Sequence, residues 1–436
     1  MSRMNRSRQP REAPVTRRDF LTRGGGAVAG LALGLPDPAA AMVGPGSRDR
    51  TQDTDLLIRG GRVIDPSQGL DGSFDVGIRG GLVADLAPTL DPAGWREVID
   101  ADGRIVTPGL VDLHVHVYEG VSHYGISADR YCLSRGATTV LDAGSAGAQT
   151  FDGFRRYVID EQETRIRALL NISVTGTLTD LRGELRDLEY ADVSRAMRTV
   201  EEHRDLILGV KVRAGGESGP NDMAGTERAL EVAEAFGLPI MLHITRTVTP
   251  IGRLLGLLRE GDILTHSFRL SGTPGAADQG ILTGEGVVRE SAIAALERGV
   301  LFDVGHGGGS FSFDAMEMAM RQGVLPGTIS SDVHAYNVGA DGPVYDLATT
   351  LSKFLALGLP LAEVVRKATE VPAGALAWGA QVGTLRAGAE GDVAIFEMHT
   401  GEHRFRDAYG GVRTGSEMLV PWRTLKGGRS YLPQWS

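Results

Sequence analysis

Two histidines separated by one residue, His114 and His116, lie in the apolar segment "VTPGLVDLHVHV". In a β-strand, residues i and i+2 point to the same face, so the two imidazoles would project side by side. Neutral imidazole is a common ligand for divalent transition metals. An H-x-H pair alone more often reflects packed or surface histidines, so a metal site requires further ligands.

Three more ligand-type side chains occur in later apolar segments, each close to the end that leads into a loop. They are His243 in "PIMLHITRT", His266 in "DILTHSF" and Asp332 in "TISSDVHA". Each of them alone is more often a hydrogen-bonded core residue than a ligand. Together they indicate a site only if their segments are neighbouring strands of one sheet.

The segment "LILGVKV" contains Lys211, one of only four lysines among 45 basic residues. Burying an uncompensated ammonium is costly, and an apolar environment lowers the pKa of a lysine, which favours the neutral amine. Two interpretations are open: a neutral, reactive amine, or a lysine that pairs with an acid across the protein interior. Arginine could not provide the first, because its guanidinium stays protonated.

Short apolar segments alternate with helix-period segments from about residue 105 to residue 336. The apolar segments are rich in Val, Ile and Leu, which is typical of parallel strands buried on both faces. They lie at 105–117, 136–144, 167–176, 206–215, 239–247, 262–268, 300–307 and 327–335. The helices expected between them include 192–203, 226–237 and 251–261, the first behind the N-cap Asp192 and the others ending on glycine. The pattern predicts an α/β fold, a (β/α)8 TIM barrel.

In a barrel of this kind, the C-terminal ends of the strands form one face, where active sites are found. The four histidines named above and Asp332 all fall at strand ends that belong to this face. Lys211 lies on the fourth strand, and Arg213 follows it on the same side. The sequence therefore predicts a metal site on the C-terminal face.

Both flanks of the barrel region have the short strands and glycine turns typical of β-structure. Residues 52–104 contain "DLLIRGGRVID", and residues 381–436 contain "VGTLRAGAEGDVAIFEM". We expect one small β-sandwich domain built from both ends of the mature chain. The barrel would then occupy 105–380, and its last part, 343–379, would be helical and cover the end of the barrel.

Residues 1–41 have the order of a secretory signal peptide: a basic region, a short apolar stretch and small residues before Met42. The apolar part is shorter than the ~20 residues that span a bilayer. Within the basic region, "TRRDFL" (16–21) resembles the twin-arginine export signal of bacteria. The mature protein is therefore expected in the periplasm or outside the cell. Cys132 is the only cysteine, so no intrachain disulfide is expected there.

The formal net charge of −10 bears on the partners. It argues against nucleic acid and against stable association with an anionic membrane after signal removal, because both attract basic patches. The expected partner is a small-molecule substrate, and a homo-oligomer is possible.

The joint pattern of ligand-type residues resembles the metal site of the amidohydrolase superfamily, with H-x-H on strand one, Lys on strand four, single histidines on strands five and six, and Asp on strand eight. "VTPGLVDLHVHV" is similar to its strand-one signature, and "VGTLRAGAEGDVAIF" to the β-strand block after its barrel. The resemblance covers essentially the whole mature chain. "HVHVYEG", "GVKVR", "DILTHSFR" and "FDVGHGGGSFSF" are most similar to a dihydroorotase-like or D-aminoacylase-like deacetylase group.

The resemblance implies a binuclear site with two divalent ions, zinc being expected. The ligands of one ion would be His114, His116 and Asp332, and those of the other His243 and His266. Lys211 would react with CO2 to form a carbamate that bridges both ions, and a shared hydroxide would be the nucleophile. Asp332 would act as general base and acid. The implied reaction is deacylation, at an amide or an ester, of acylated α-amino or α-hydroxy acids.

Four residues around this site are candidates for substrate binding. Arg213 and Arg269 could bind a substrate carboxylate through two hydrogen bonds, although Arg213 fits a structural ion pair equally well. His306 ends the seventh strand and Tyr118 follows the H-x-H pair, so both are expected at the mouth of the pocket.

Two other functions stay open. A cyclic amide hydrolase, such as a dihydroorotase or hydantoinase, would have the same metal ligands. Dihydroorotases usually carry an arginine just after the H-x-H pair, where this chain has Val117 and Tyr118. A non-catalytic binding scaffold would be expected to have lost ligands, whereas this chain retains all of those named above.

Overall fold

The computed structural model describes residues 54–178, 183–216, 218–270, 279–339 and 342–435. The signal peptide predicted for residues 1–41 lies outside the described residues. Within the described ranges, no helix is both long enough and apolar enough to cross a bilayer.

Two sheets organise the described chain. Their strands are β1 (Asp55–Asp65), β2 (Leu70–Arg79), β3 (Leu82–Ala87), β4 (Glu97–Asp100), β5 (Ile105–Pro108), β6 (Leu110–Val115), β7 (Ala137–Asp142), β8 (Arg165–Asn171), β9 (Ile207–Ala214), β10 (Ile240–Ile244), β11 (Ile263–Thr265), β12 (Leu301–Phe302), β13 (Val393–Arg406), β14 (Val412–Lys426) and β15 (Arg429–Tyr431).

Strands β6 to β12 run parallel, in chain order, in a curled sheet. The segment 328–333 joins the two edges of this sheet. Thr328 forms a parallel bridge with Asp303 just after β12, and Val333 forms one with Val115 at the end of β6. An irregular eighth strand thereby closes the ring, and the predicted (β/α)8 barrel is confirmed.

Helices connect the barrel strands and follow them. They are α1 (Ala128–Tyr131), α2 (Phe151–Tyr157), α3 (Val193–Glu202), α4 (Asp222–Phe236), α5 (Ile251–Leu257), α6 (Glu290–Glu297), α7 (Phe313–Arg321), α8 (Leu347–Ala356), α9 (Leu361–Arg366) and α10 (Glu370–Ala375). Asp192 caps α3 as expected. The end expected at Gly261 is wrong, because the Asp262 carboxylate binds the backbone and side chain of Arg259 and α5 stops earlier.

The remaining strands, from both ends of the described chain, share one mixed sheet in the order β15-β14-β13-β5-β1-β2-β3, with β4 beside β1. Strand β5, expected to begin the first barrel strand, pairs with β1 and β13 instead. All four of its residues are buried, so its composition resembled that of a barrel strand. The two chain ends do combine, in a single hydrogen-bonded sheet, and a separate sandwich domain stays a prediction.

The N-terminal end of the barrel is closed by apolar packing. Leu113 and Met241 from the barrel strands belong to one buried cluster with Trp378, which follows α10. The backbone N–H of Val111 donates to the carbonyl of Ala368. The last part of the helical segment expected at 343–379 therefore covers this end, and the C-terminal face remains for a functional site.

Candidate metal-dependent active site

The H-x-H pair and Asp332 meet at the C-terminal face of the barrel. The rings of His114, on β6, and His116, just after it, lie 5.4 Å apart. Their Nε2 atoms are 3.3 and 3.4 Å from Asp332 Oδ1. Burial raises the pKa of the Asp332 carboxyl to about 6. Three buried ligand-type side chains this close together could hold a metal ion.

The other two histidines form a second pair. His243, on β10, and His266, directly after β11, place Nδ1 and Nε2 2.9 Å apart. His266 Nδ1 donates to the carbonyl of Gly305 at 2.6 Å, so the lone pair of the neutral ring lies on Nε2. This Nε2 is 3.9 Å from Asp332 Oδ2. Asp332 therefore stands between the two histidine pairs, with one oxygen towards each.

Burial favours the neutral form of all four imidazoles. Burial lowers the pKa of His116 to about 3, and it lowers the pKa of His114, His243 and His266 well below the usual histidine value. For His114 and His266, the charge of Lys211 acts in the same direction. A neutral imidazole has a lone pair for a cation, so these donors fit a divalent transition metal.

Lys211, on β9, is fully buried beside these histidines. Its Nζ is 3.2 Å from His114 Nε2 and 3.2 Å from Met241 Sδ, and no carboxylate of the described residues lies within 4.0 Å. The ion pair that the sequence left open is therefore not formed within the described chain. Burial lowers the pKa of Lys211 to about 7. The lack of a side chain at Gly144 leaves room for the Lys211 side chain, because a Cβ at residue 144 would lie 2.6 Å from Lys211 Cβ.

Two of the ligand-type residues have strained backbones. His266 has a φ of 64° and Asp332 a φ of 48°, in the left-handed region that residues other than glycine seldom adopt. Such a conformation costs about 1–3 kcal/mol and is concentrated at functional sites. At Asp332, hydrogen bonds hold it: the backbone N–H donates to His114 O, and Asn337 Nδ2 donates to the carbonyl.

A cavity of about 580 Å³ opens above this cluster. The ligand-type residues that reach its surface are His116, His243 and Asp332, and the others are buried beneath them. Its walls carry arginines and rings, namely Arg213, Arg246, Arg269, Tyr124, His334, Tyr336 and Tyr409. A polar floor under cationic and aromatic walls suits a small anionic molecule.

Comparison with known proteins agrees with this arrangement. Residues 97–150 match the amidohydrolase family. A deacetylase from Agrobacterium fabrum is 33% identical over 352 residues, which cover 80% of this chain and 84% of the relative. The chain belongs to the amidohydrolase superfamily.

Two solved structures are similar to this amidohydrolase along most of its length. One, of an adenine deaminase, has a TM-score of 0.79 at 32% identity and covers 87% of this chain and 100% of its own. The other, of a dihydroorotase, has a TM-score of 0.78 at 30% identity and covers 88% and 100%. The comparisons confirm the predicted metal-dependent hydrolase, and the cluster at Asp332 is where a divalent metal fits.

Two of the four substrate-binding candidates line the cavity of the amidohydrolase. Arg213 Nη1 donates to Glu184 Oε1 at 2.5 Å, and both side chains are buried, so Arg213 is in the ion pair that its sequence also allowed. Arg269 Nη1 donates to Ile244 O at 3.1 Å, while its Nε is buried without a partner among the described residues. Arg269 therefore has no carboxylate partner in the described part of the chain, whereas Arg213 has one.

The other two candidates, Tyr118 and His306, do not line the cavity, which corrects the expectation. Strand β6 ends at Val115, so the strand alternation does not continue to Tyr118, whose ring packs on Phe154. His306 is fully buried, and Lys353 donates to its Nε2 at 2.7 Å. Both side chains support the framework around the amidohydrolase site rather than its surface.

Sequence reasoning missed His334 and Arg246, which line the cavity. His334 follows Asp332 by two residues, and Arg246 follows His243 by three, so spacing offered a signal for both. His334 Nδ1 accepts the backbone N–H of Tyr336 at 3.3 Å, which leaves the proton of the neutral ring on Nε2.

Tyr409 was also missed, and no spacing could have indicated it. It lies in the loop between β13 and β14 and reaches the cavity of the amidohydrolase from the terminal sheet. Its hydroxyl donates to the carbonyl of Gly309 at 3.0 Å. This contact exists only because the terminal sheet packs beside the barrel.

Proposed function

We propose that this amidohydrolase removes the acyl group from acylated α-amino or α-hydroxy acids, by hydrolysis of an amide or an ester. The observation that carries the proposal is the convergence of neutral histidines, Asp332 and Lys211, which has no carboxylate partner among the described residues, beneath a cavity that contains Arg269. The similarity to a deacetylase supports the same class of reaction.

The proposed cofactors are two divalent ions, with zinc as the metal. One would be held by His114, His116 and Asp332, the other by His243 and His266, and a carbamate formed from CO2 on Lys211 would bridge them. Bound divalent ions acidify water and polarise carbonyl groups, which allows hydrolysis near neutral pH. Carboxylation suits Lys211 because it turns a buried amine, which has no acidic partner in the described part of the chain, into an anion among metal ligands.

Asp332 is the proposed general base and acid. Its carboxylate has one oxygen towards each histidine pair and also reaches the surface of the cavity. From this position it can accept a proton at the cluster and deliver it to a leaving group in the cavity. Delivery is important here, because an amine or alkoxide leaves readily only when it is protonated.

Arg269 is proposed to bind the substrate carboxylate, with His334 Nε2–H as a second donor. Both line the cavity that exposes Asp332. A carboxylate held by these donors would place the neighbouring acyl group towards the floor of the cavity. Arg213 is already paired with Glu184, which offsets its charge, so it is not assigned a contact with the substrate carboxylate.

Replacing Arg269 by methionine is expected to raise KM for a substrate with a free carboxylate about 10–100-fold, because a hydrogen bond to a charged group contributes ~1.5–3 kcal/mol. The change in kcat should be smaller. The measurement compares each acylated acid with its carboxamide, for which the variant should lose little. An equal rise in KM for acid and carboxamide would show that Arg269 does not bind the carboxylate.

A substrate panel tests the reaction class. It contains N-acetyl-D- and N-acetyl-L-amino acids, acetylated α-hydroxy acids, dihydroorotate and hydantoins. We expect release of acetate from one of the acyclic groups. Turnover of the cyclic compounds alone would contradict the proposal.

Hydrolysis of a cyclic amide is the second candidate, and the similarity to a dihydroorotase structure favours it. Val117 and Tyr118 follow the H-x-H pair, and Tyr118 packs on Phe154, so neither residue offers a cation to a substrate carboxylate. A scaffold without activity is the most distant alternative. Less than about one zinc ion per chain, after expression with zinc and bicarbonate, would favour it.

We also propose that residues 1–41 direct export by the twin-arginine route, and that the mature enzyme acts on a small molecule in the periplasm or outside the cell. The support is the "TRRDFL" segment, which contains Arg17 and Arg18. Replacing both by lysine should retain the unprocessed chain in the cytoplasm, as seen by cell fractionation and intact mass. Export of this variant at the wild-type level would exclude the route.

A further inference from the structure

His114 is backed by a hydrogen-bond chain that the proposed reaction does not use. Its Nδ1 is 2.8 Å from Thr265 Oγ1, and this oxygen is 2.8 Å from Asp303 Oδ2. All three side chains are fully buried. Neither Thr265 nor Asp303 lines the cavity, so neither can touch a substrate there.

The direction of these hydrogen bonds follows from which groups donate to Asp303. Asp303 also accepts the hydroxyl hydrogens of Thr328 and Ser330, at 2.7 Å each. A carboxylate that accepts three hydroxyl hydrogens acts only as an acceptor. Thr265 therefore donates its single hydrogen to Asp303 and accepts from His114 Nδ1. The proton of the neutral imidazole is held on Nδ1, and the lone pair is left on Nε2.

Gly305 packs against this hydrogen-bond chain from one side. Its φ is 47°, and a Cβ there would lie 2.2 Å from Thr265 Oγ1 and 3.2 Å from His114 Nδ1. The backbone of Gly305 therefore packs directly against the Thr265 hydroxyl, and any side chain at this position would displace the hydroxyl from His114.

His116 has the same arrangement on the neighbouring strand. Its Nδ1 is 2.9 Å from Ser145 Oγ, and the Ser145 backbone N–H donates to Asp142 Oδ1 at 2.7 Å. Burial raises the pKa of Asp142, and hydrogen bonds that include one from the Ser145 hydroxyl oppose this. Each histidine of the H-x-H pair is thus backed first by a hydroxyl and then by a carboxylate.

We propose that Thr265 with Asp303, and Ser145 with Asp142, are positioning residues that hold His114 and His116 in the tautomer whose Nε2 lone pair faces the metal. The inference rests on the metal centre proposed above. Partners behind metal-binding histidines commonly contribute 10–100-fold to metal affinity. Here the direct partner is a hydroxyl, which can accept from the imidazole only because the carboxylate takes its hydrogen.

The test measures zinc affinity of the mature protein, stripped of metal and titrated with Zn²⁺ and bicarbonate against a chromogenic chelator. Thr265→Val keeps the shape but removes the hydroxyl, and it should weaken zinc binding about 10–100-fold. Thr265→Ser keeps the hydroxyl and loses the methyl group, and it should bind within about threefold of the wild type. A role in packing alone predicts the reverse order for the two variants.

Thr350→Val is the matched control. Thr350 is equally buried, but its hydroxyl donates to the Asp346 carbonyl beside α8 and does not contact a histidine. It should bind zinc as the wild type does. Ser145→Ala removes only the hydroxyl group and tests the partner of His116. It also tests the positioning role if Thr265→Val does not fold. It should weaken zinc binding about 10–100-fold.

The outcomes separate this inference from the metal centre itself. Wild-type protein that binds no zinc would overturn both. Wild-type zinc affinity in Thr265→Val, or in Ser145→Ala, would overturn the positioning role and leave the metal centre intact. Equal losses in Thr265→Val and Thr265→Ser would also overturn it, because the hydroxyl would then not be the group that matters.

Discussion

Replacing Lys211 by methionine is expected to abolish the proposed two-metal centre and to lower kcat/KM by at least about 1,000-fold, which corresponds to ~4 kcal/mol of transition-state stabilisation. Methionine fills the space among the buried side chains but cannot form a carbamate. Zinc content per chain and steady-state kinetics are the measurements. Short carboxylic acids such as acetate should restore part of the activity, because their oxygens can replace those of the carbamate.

Lys353→Met is the matched control for Lys211→Met. Lys353 is also buried, but its Nζ binds His306 Nε2 and the carbonyl of Pro343, and it does not line the cavity. This variant should keep its zinc and lose about 1–3 kcal/mol of unfolding free energy, because a buried acceptor is left without a donor. Two zinc ions and full activity in Lys211→Met would disprove the bridging role of Lys211.

Replacing Asp332 by asparagine should lower kcat about 10²–10⁴-fold, the usual contribution of a general acid–base group. The amide has the same shape but cannot accept and deliver a proton. The backbone of residue 332 still accepts a hydrogen bond from Asn337 Nδ2 and donates one to the His114 carbonyl. The left-handed backbone conformation at this position should therefore persist. The kcat of the best substrate from the panel, with circular dichroism for folding, is the measurement.

Asp65→Asn controls for the loss of a buried carboxylate as such. Asp65 is fully buried in the terminal sheet, where it accepts hydrogen bonds from the backbone of Ser67 and Leu385. This variant should lose stability and keep its kcat. An Asp332→Asn enzyme with wild-type kcat would move the proton-transfer role to another residue, and His334 would be the first to test because it lines the same cavity.

The barrel and the gathering of the cluster were predictable because both depend on local periodicity. Strands buried on both faces have apolar runs, and residues two apart on a strand share a face, so His114, Lys211 and His243 could be placed from their segments. The same rule failed where the chain leaves the strand. Tyr118 lies beyond the end of β6, and its ring turns away to Phe154.

Contacts between distant segments were not predictable from spacing. Arg213 forms an ion pair with Glu184, whereas Arg269 has a buried donor without a partner among the described residues. In the sequence, both arginines simply follow a ligand-type residue by two or three positions. Their roles depend on which carboxylate the fold brings near. The left-handed backbones of His266 and Asp332 likewise depend on the surrounding hydrogen bonds.

By itself, the sequence determined the ligand types, their strands and hence the superfamily of this protein, because those features depend only on residue types and on the two-residue alternation of side chains along a strand. Only the tertiary structure decided which ring nitrogens face the cluster, which arginine is paired with Glu184, and that Tyr409 reaches the cavity from the other end of the chain. These depend on hydrogen-bond partners and packing between segments far apart in sequence, and no local pattern records them.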